Sequence, residues 1–117
     1  MKSIFKVLLC IFALLLSSNA YALECIATSA QICTDGSCGA GANVVRIYID
    51  QKAKAVSRCD TKGCDKFDVD HATSGVMESY GSVARGYLLK INTVDGSFVE
   101  VATQVTIVAL KFGVCKQ

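Results

Sequence analysis

Along most of the chain, apolar and polar side chains alternate one for one in short runs between turn residues. Val44 to Asp50 places Val45, Ile47 and Ile49 on one face, with Arg46, Tyr48 and Asp50 on the other. Lys66 to Asp70 places Phe67 and Val69 inside, against Lys66, Asp68 and Asp70. Gly86 to Asn92 places Tyr87, Leu89 and Ile91 inside, against Lys90 and Asn92. Phe98 to Thr103 sets Val99 and Val101, as the inner face, against Glu100. Thr106 to Phe112 sets Val108, Leu110 and Phe112, again as the inner face, against Lys111. A period of two makes a sheet with one buried face, whereas an amphipathic helix needs apolar residues three and four apart.

Turn residues separate these runs. Asp60-Thr61-Lys62-Gly63 and Val94-Asp95-Gly96-Ser97 resemble hairpin loops, where glycine or Asp-Gly permits positive φ. Thr73-Ser74-Gly75 and Tyr80-Gly81-Ser82 read as further breaks, and Asp35 to Gly41 as a longer loop. Phe98 to Phe112 contains no glycine, but its apolar face changes phase near Gln104, which favours two strands or a bulge. The reading is all-β: a small antiparallel meander of seven or eight strands, forming a closed barrel or a two-sheet sandwich. The barrel is preferred, because Cys25 lies in the first predicted strand and Cys115 ends the last. A bond between them would tie the sheet shut and remove both free edges.

The N-terminal segment interrupts the alternation. Lys2 and Lys6 precede an unbroken apolar run from Val7 to Leu16, followed by Ser17-Ser18-Asn19 and Ala20-Tyr21-Ala22. That order is the pattern of a secretory signal peptide over residues 1–22, cut near Ala22, and the apolar run is shorter than the roughly 20 residues of a membrane span. Neither Cys10 nor Cys25 follows a small residue, so a lipid-anchored cysteine is not expected. Residues 23–117 form the expected single β domain, without linker, repeat or low-complexity stretch. The expectation is a periplasmic or secreted protein with no membrane span in its mature chain.

Removal of the leader lowers the basic residues from 12 to 10, equal to the 10 acids. A neutral chain without blocks of like charge argues against a nucleic-acid or anionic-membrane partner. Six cysteines remain in residues 23–117, an even number in a small exported chain, which reads as disulfides. They permit 15 pairings. The preferred set is Cys25–Cys115, Cys33–Cys38 and Cys59–Cys64, because each close pair flanks a turn. A rival set joins Cys33 to Cys59 and Cys38 to Cys64. Two C-x4-C pairs with one histidine suit neither a zinc site nor the C-x-x-C of thiol oxidoreductases.

Candidate chemistry is sparse, and no cofactor is expected. His71 with Asp68 and Asp70 is an incomplete metal set, more simply read as a solvated strand face. Glu78 and Glu100 are carboxylates on strands, without the spacing of an acid–base pair. No G-x-S-x-G elbow is present, and Gly39-Ala40-Gly41-Ala42 lacks the Lys-Ser/Thr and helix of a phosphate loop. Tyr48 beside Arg46 is a modest cue for protein binding.

Three segments carry a resemblance: Arg58 to Asp65 (RCDTKGCD), Gly96 to Thr103 (GSFVEVAT) and Phe112 to Cys115 (FGVC). They resemble a group of small exported cysteine-containing proteins of Gram-negative bacteria, to which no function attaches. A second resemblance is to periplasmic inhibitors of C-type lysozyme, small antiparallel barrels that insert an S-G-x-x-Y loop into the enzyme. Here Ser74-Gly75-Val76-Met77 is followed by Glu78 in the tyrosine position, with Tyr80 two residues later. The leading expectation is a non-enzymatic binding module whose partner is a protein or cell-envelope component. The alternatives are a lysozyme-inhibitor-like protein, an enzyme with a site assembled from scattered residues, and an envelope structural component. Nothing in the sequence sets an oligomeric state.

Overall fold

A computed structural model describes residues 22–42 and 45–117. The expected leader, apart from Ala22, lies outside them, as does Val44. The described residues form ten strands and no helix: β1 (Ala22–Thr34), β2 (Ser37–Ala40), β3 (Arg46–Asp50), β4 (Ala55–Asp60), β5 (Gly63–Asp68), β6 (Asp70–Ser74), β7 (Met77–Ser82), β8 (Tyr87–Asn92), β9 (Ser97–Thr103) and β10 (Ile107–Lys116). All pairings are antiparallel, in the order β5-β4-β3-β1-β10-β9-β8-β7-β6, with β2 beside β1. The two ends of that order, β5 and β6, are separated in the chain by Val69 alone. One bent strand therefore pairs with β4 through its first half and with β7 through its second, giving a nearly closed barrel. Val69 is buried at the bend, and its N–H donates to the Lys54 carbonyl at 2.9 Å.

β1 organises the other side. One edge pairs with β10 from Glu24 to Thr34; the opposite edge is shared between β3 and the short β2. A bulge between Ala27 and Ser29 shifts the register, so Cys25 and Ala27 point inward before it and Ala30 after it. Gly113, paired with Ala27, sits where a Cβ would overlap the Ile26 carbonyl oxygen and press on the Phe98 ring at 2.7 Å. Only glycine lets the two backbones approach so closely there.

The inner faces of β3, β5 and β8 carry Ile47 and Ile49, Phe67, and Tyr87, Leu89 and Ile91, all buried with Val45 and Val69 in one core. Cys25, Ala27, Val56, Tyr80 and Phe98 complete it. Three disulfides lie between facing residues of paired strands: Cys25–Cys115 joins β1 to β10, Cys33–Cys38 joins β1 to β2, and Cys59–Cys64 joins β4 to β5.

Several local readings change. Tyr80-Gly81-Ser82 is not a break but lies within β7, and the turn follows at residues 83–86. The stretch 35–41 is a tight hairpin, with positive φ at Asp35 and Gly36, that leads straight into β2. Phe98 to Phe112 does divide near Gln104, into β9 and β10, but both strands are turned the other way round. Glu100 is 1% exposed and Lys111 6%, whereas Phe112 is 40% and Val114 46% exposed. Val99, Val101 and Leu110 are only half-buried, and Val108 is exposed. Glu100 and Lys111 face the barrel interior because polar partners await them there.

Loss of the Cys25–Cys115 bond, which closes a separation of 90 residues, should cost more than loss of either bond spanning 5. The chain-entropy relation gives about 4–5 kcal/mol against about 2. Urea denaturation of Cys25→Ala/Cys115→Ala beside Cys59→Ala/Cys64→Ala is expected to show the larger fall in midpoint for the first.

Candidate functional site

The buried charges decide which side chains of β9 and β10 reach the surface. Glu100 projects inward from β9, Tyr87 from β8 and Arg58 from β4. Arg58 donates from Nε to Glu100 Oε2 at 2.8 Å and from its terminal nitrogen to Oε1 at 3.0 Å. The Tyr87 hydroxyl donates to Oε2 at 2.7 Å. A carboxylate taken out of water needs such bidentate, charge-assisted partners. Burial opposes the Arg58 charge, yet the Glu100 hydrogen bond and attraction raise its pKa. Burial and then the Glu100 charge push the Tyr87 phenol far above its ordinary 10.0.

Outside this pair, Arg85 lies 4.5 Å over the Phe67 ring and donates to Asp65 at 2.7 Å. Phe67 in turn meets Tyr87 edge-on at 4.9 Å. The cavity at this end, about 370 Å³, is bordered by both arginines. Each guanidinium is already neutralised, by Glu100 or by Asp65, so the cavity offers no free positive charge to an anion.

Lys111 faces Glu100 across the β9–β10 ladder but donates to the Ala42 carbonyl at 3.3 Å. With Glu100 and Lys111 inside, strict alternation sends their neighbours out. Leu110, Val101 and Leu88 form one row across β10, β9 and β8, continuing to Gly81 in β7. Phe112, Val99 and Lys90 form the next, continuing to Ser79. The outer wall of β8–β9–β10 is thus an apolar surface carrying Lys90 as a lone charge between Leu88 and Val114. Contiguous exposed apolar patches are a frequent feature of contact surfaces in general.

A second polar cluster occupies another part of the barrel interior. His71 Nε2 lies 2.6 Å from Glu78 Oε2, the Tyr80 hydroxyl donates to the same oxygen at 2.8 Å, and Gln51 donates to Tyr80 at 2.9 Å. The His71 and Tyr80 rings stack at 4.5 Å. Burial raises the Glu78 pKa, but hydrogen bonds from Tyr80 and His71 outweigh it and hold the carboxyl below its usual range. Burial, with the Glu78 carboxylate beside it, pushes Tyr80 up to about 12. Gln51 and Glu78 border an open cleft of about 490 Å³ together with the β8–β9 hairpin. The cluster presents a fixed, ionised carboxylate. Its arrangement contains no serine, threonine or thiol nucleophile hydrogen-bonded to the histidine, as acyl transfer requires.

The structure separates the residues singled out in the sequence. Asp68 and Asp70 are exposed and flank the bend, while His71 turns to Glu78. Among the described residues no group of three or more His, Cys, Asp or Glu side chains is placed to hold a metal. Glu78 and Glu100 share no partner: one binds His71 and Tyr80, the other Arg58 and Tyr87. Tyr48 is half-buried, and its neighbour Arg46 reaches Glu24 at 3.6 Å. Gly39 and Ala40 belong to β2 rather than to a phosphate loop. The Ser74–Met77 segment is the tip of the β6–β7 hairpin, and Glu78 points away from it into the His71 cluster. No family model, curated protein or solved structure matches this chain.

The two partners of the buried pair are not equivalent, since Arg58 keeps 28% of its side chain in contact with solvent and Glu100 only 1%. Arg58→Met strands a buried carboxylate and should cost about 3–5 kcal/mol. Glu100→Gln keeps an acceptor for Tyr87 and lets Arg58 turn outward, so it should cost less than half of that in the same urea titration. Alkaline pH tests the phenol. Because its folded pKa is raised, its contribution is whole below the ordinary 10.0 and is lost as pH rises above it. Stability should fall there by about 1.4 kcal/mol per pH unit for each shifted tyrosine. Tyr87→Phe should flatten that slope, measured by denaturation midpoints between pH 9 and 11 (about two units across the ordinary phenol range).

Proposed function

We propose that this chain is a non-catalytic binding module of an extracytoplasmic compartment, and that its contact surface is the outer wall of β8–β9–β10. One observation carries the reading: β9 and β10 direct Val99, Val101, Val108, Leu110 and Phe112 outward while Glu100 and Lys111 are buried. Packing alone favours the opposite orientation in β10, whereas in β9 it sets Val99 and Val101 against the buried Phe98. An exposed apolar row is useful where another molecule covers it.

The compartment follows from chemistry. Three disulfides in so short a chain suit an oxidising environment outside the cytoplasm. Delivery to the periplasm or beyond, with a leader cut near Ala22, fits the same reading. A partner of neutral, apolar character fits the wall best, since Lys90 is its lone central charge. A protein of the cell envelope meets that description, and a nucleic acid does not.

Site-specific photo-crosslinking in the cells that make the protein tests this. A benzophenone side chain at Phe112 or Val99 is expected to give discrete covalent adducts, and the same probe at Tyr48, on the outer face of β3, should give none. Equal labelling from both walls, or none from either, would remove the reading.

A further inference from the structure

The outer surface from β6 to β9, continuous with that wall, carries the features of a self-complementary surface, and we propose that two copies of this chain pair through it about a two-fold axis. This rests on the outer wall being the contact surface. The wall has two shallow depressions of equal size, about 480 Å³ each. Lys90 borders one, with Val99, Phe112 and Val114. Asp70 borders the other, with Gly81, Val83, Leu88 and Val101. Both charged residues are exposed, and neither takes part in an ion pair among the described residues.

Their places in the ladders set the geometry. Asp70 pairs with Gly81 and Gly81 with Leu88, so these share one row with Val101 and Leu110. Lys90 stands in the adjacent row, two strands from Asp70. Strand spacing and rise put the two charges about 12 Å apart. A face-to-face dimer has its two-fold axis in the plane of contact, and each surface point then meets the mirror position across that axis. If the axis bisects the line from Lys90 to Asp70, each Lys90 meets the partner's Asp70, so one contact plane holds two ion pairs.

The same operation brings apolar groups together without further adjustment. Leu88 falls close to the axis, over the partner's Gly81, where no side chain intervenes. In this chain Leu88 already leans that way, with Cδ1 at 3.4 Å from the place a Gly81 Cβ would occupy. Val101 falls near the partner's Val83, which is fully open to solvent in the single chain. Charge reciprocity with apolar contacts between the charges is what an isologous interface requires. The pairing leaves Phe112 and Val114, farther around the barrel, uncovered.

Sedimentation equilibrium on the oxidised chain, from about 1 to 100 µM, a range typical of modest interfaces, reads the association. A monomer–dimer equilibrium is expected. Lys90→Asp alone and Asp70→Lys alone should each weaken it tenfold or more, because each sets like charges against one another twice per dimer. The double variant Lys90→Asp/Asp70→Lys should return within about threefold of the parent, since the ion pairs reform with reversed sign. Near-UV circular dichroism of all three should match the parent, both positions being exposed. A chain that stays monomeric, a dimer indifferent to the single changes, or a double variant that fails to recover would each overturn the pairing. A monomer whose Phe112 probe still labels another protein in cells overturns the pairing alone and leaves the binding surface standing.

Discussion

One carboxylate sets the orientation of two neighbouring strands of the barrel wall, β9 and β10. Glu100 is enclosed between Arg58 and Tyr87, and its three hydrogen bonds come from strands far apart in sequence. Desolvating it without those donors would cost several kcal/mol, more than a turned-out valine loses. Once Glu100 is inside, β9 has a single possible phase, because a slip of one residue would expose the carboxylate and orphan the guanidinium. The ladder then imposes that phase on β10, where Lys111 lies directly opposite. Arg85, stacked on Phe67 and bound to Asp65, covers the same end from outside. The pair is best understood as fixing register rather than adding net stability, since buried ion pairs seldom outdo the apolar residues they displace.

A chain this short has little apolar area to bury, and this one leaves part of it on the surface. Covalent closure offsets that deficit. The bond between Cys25 and Cys115 ties facing residues of β1 and β10 across the longest ladder, and Cys59–Cys64 pins the hairpin that carries Arg58. The ion network and the disulfides are therefore linked: the arginine that holds Glu100 stands on a hairpin whose register is chemically locked. At the bend, Val69 lets one strand serve two neighbours, so the barrel closes without a further ladder.

Much of the fold was legible in the alternation, and the reasons for the failures are specific. Val45, Ile47 and Ile49 alternate with Arg46, Tyr48 and Asp50, and Tyr87, Leu89 and Ile91 share the face opposite Lys90 and Asn92 despite Leu88, so the buried face is legible in both runs. In Phe98-Val99-Glu100-Val101-Ala102 both faces are apolar except for Glu100, so the choice of face turns on one residue. That choice depends on Arg58, 42 positions away, and no local pattern reports it. The Tyr80-Gly81-Ser82 reading failed for a related reason: glycine there sits on an outer strand face beside Leu88, where it opens space rather than turning the chain. The His71 cluster was closer to reach. Once the Ser74–Met77 hairpin is drawn, His71 stands across from Tyr80 and two pairs along from Glu78, all on one face. The histidine was sought beside its sequence neighbours Asp68 and Asp70, which a strand sends to the opposite side.

The two polar clusters and the apolar wall answer to a single geometric rule. A small barrel has an interior too narrow for water but wide enough for side chains, so polar groups inside must satisfy one another. Among the described residues, no buried side-chain nitrogen or oxygen lacks a partner. For these side chains the hydrogen bonds are supplied within the single chain. The apolar rows of β8–β10 are what the single chain leaves facing water, with Asp70 and Lys90 among the exposed charges that make no ion pair in the described residues. An interior whose polar side chains satisfy one another, beside a wall that turns apolar side chains to solvent, is the physical basis on which the proposed outer contact surface rests.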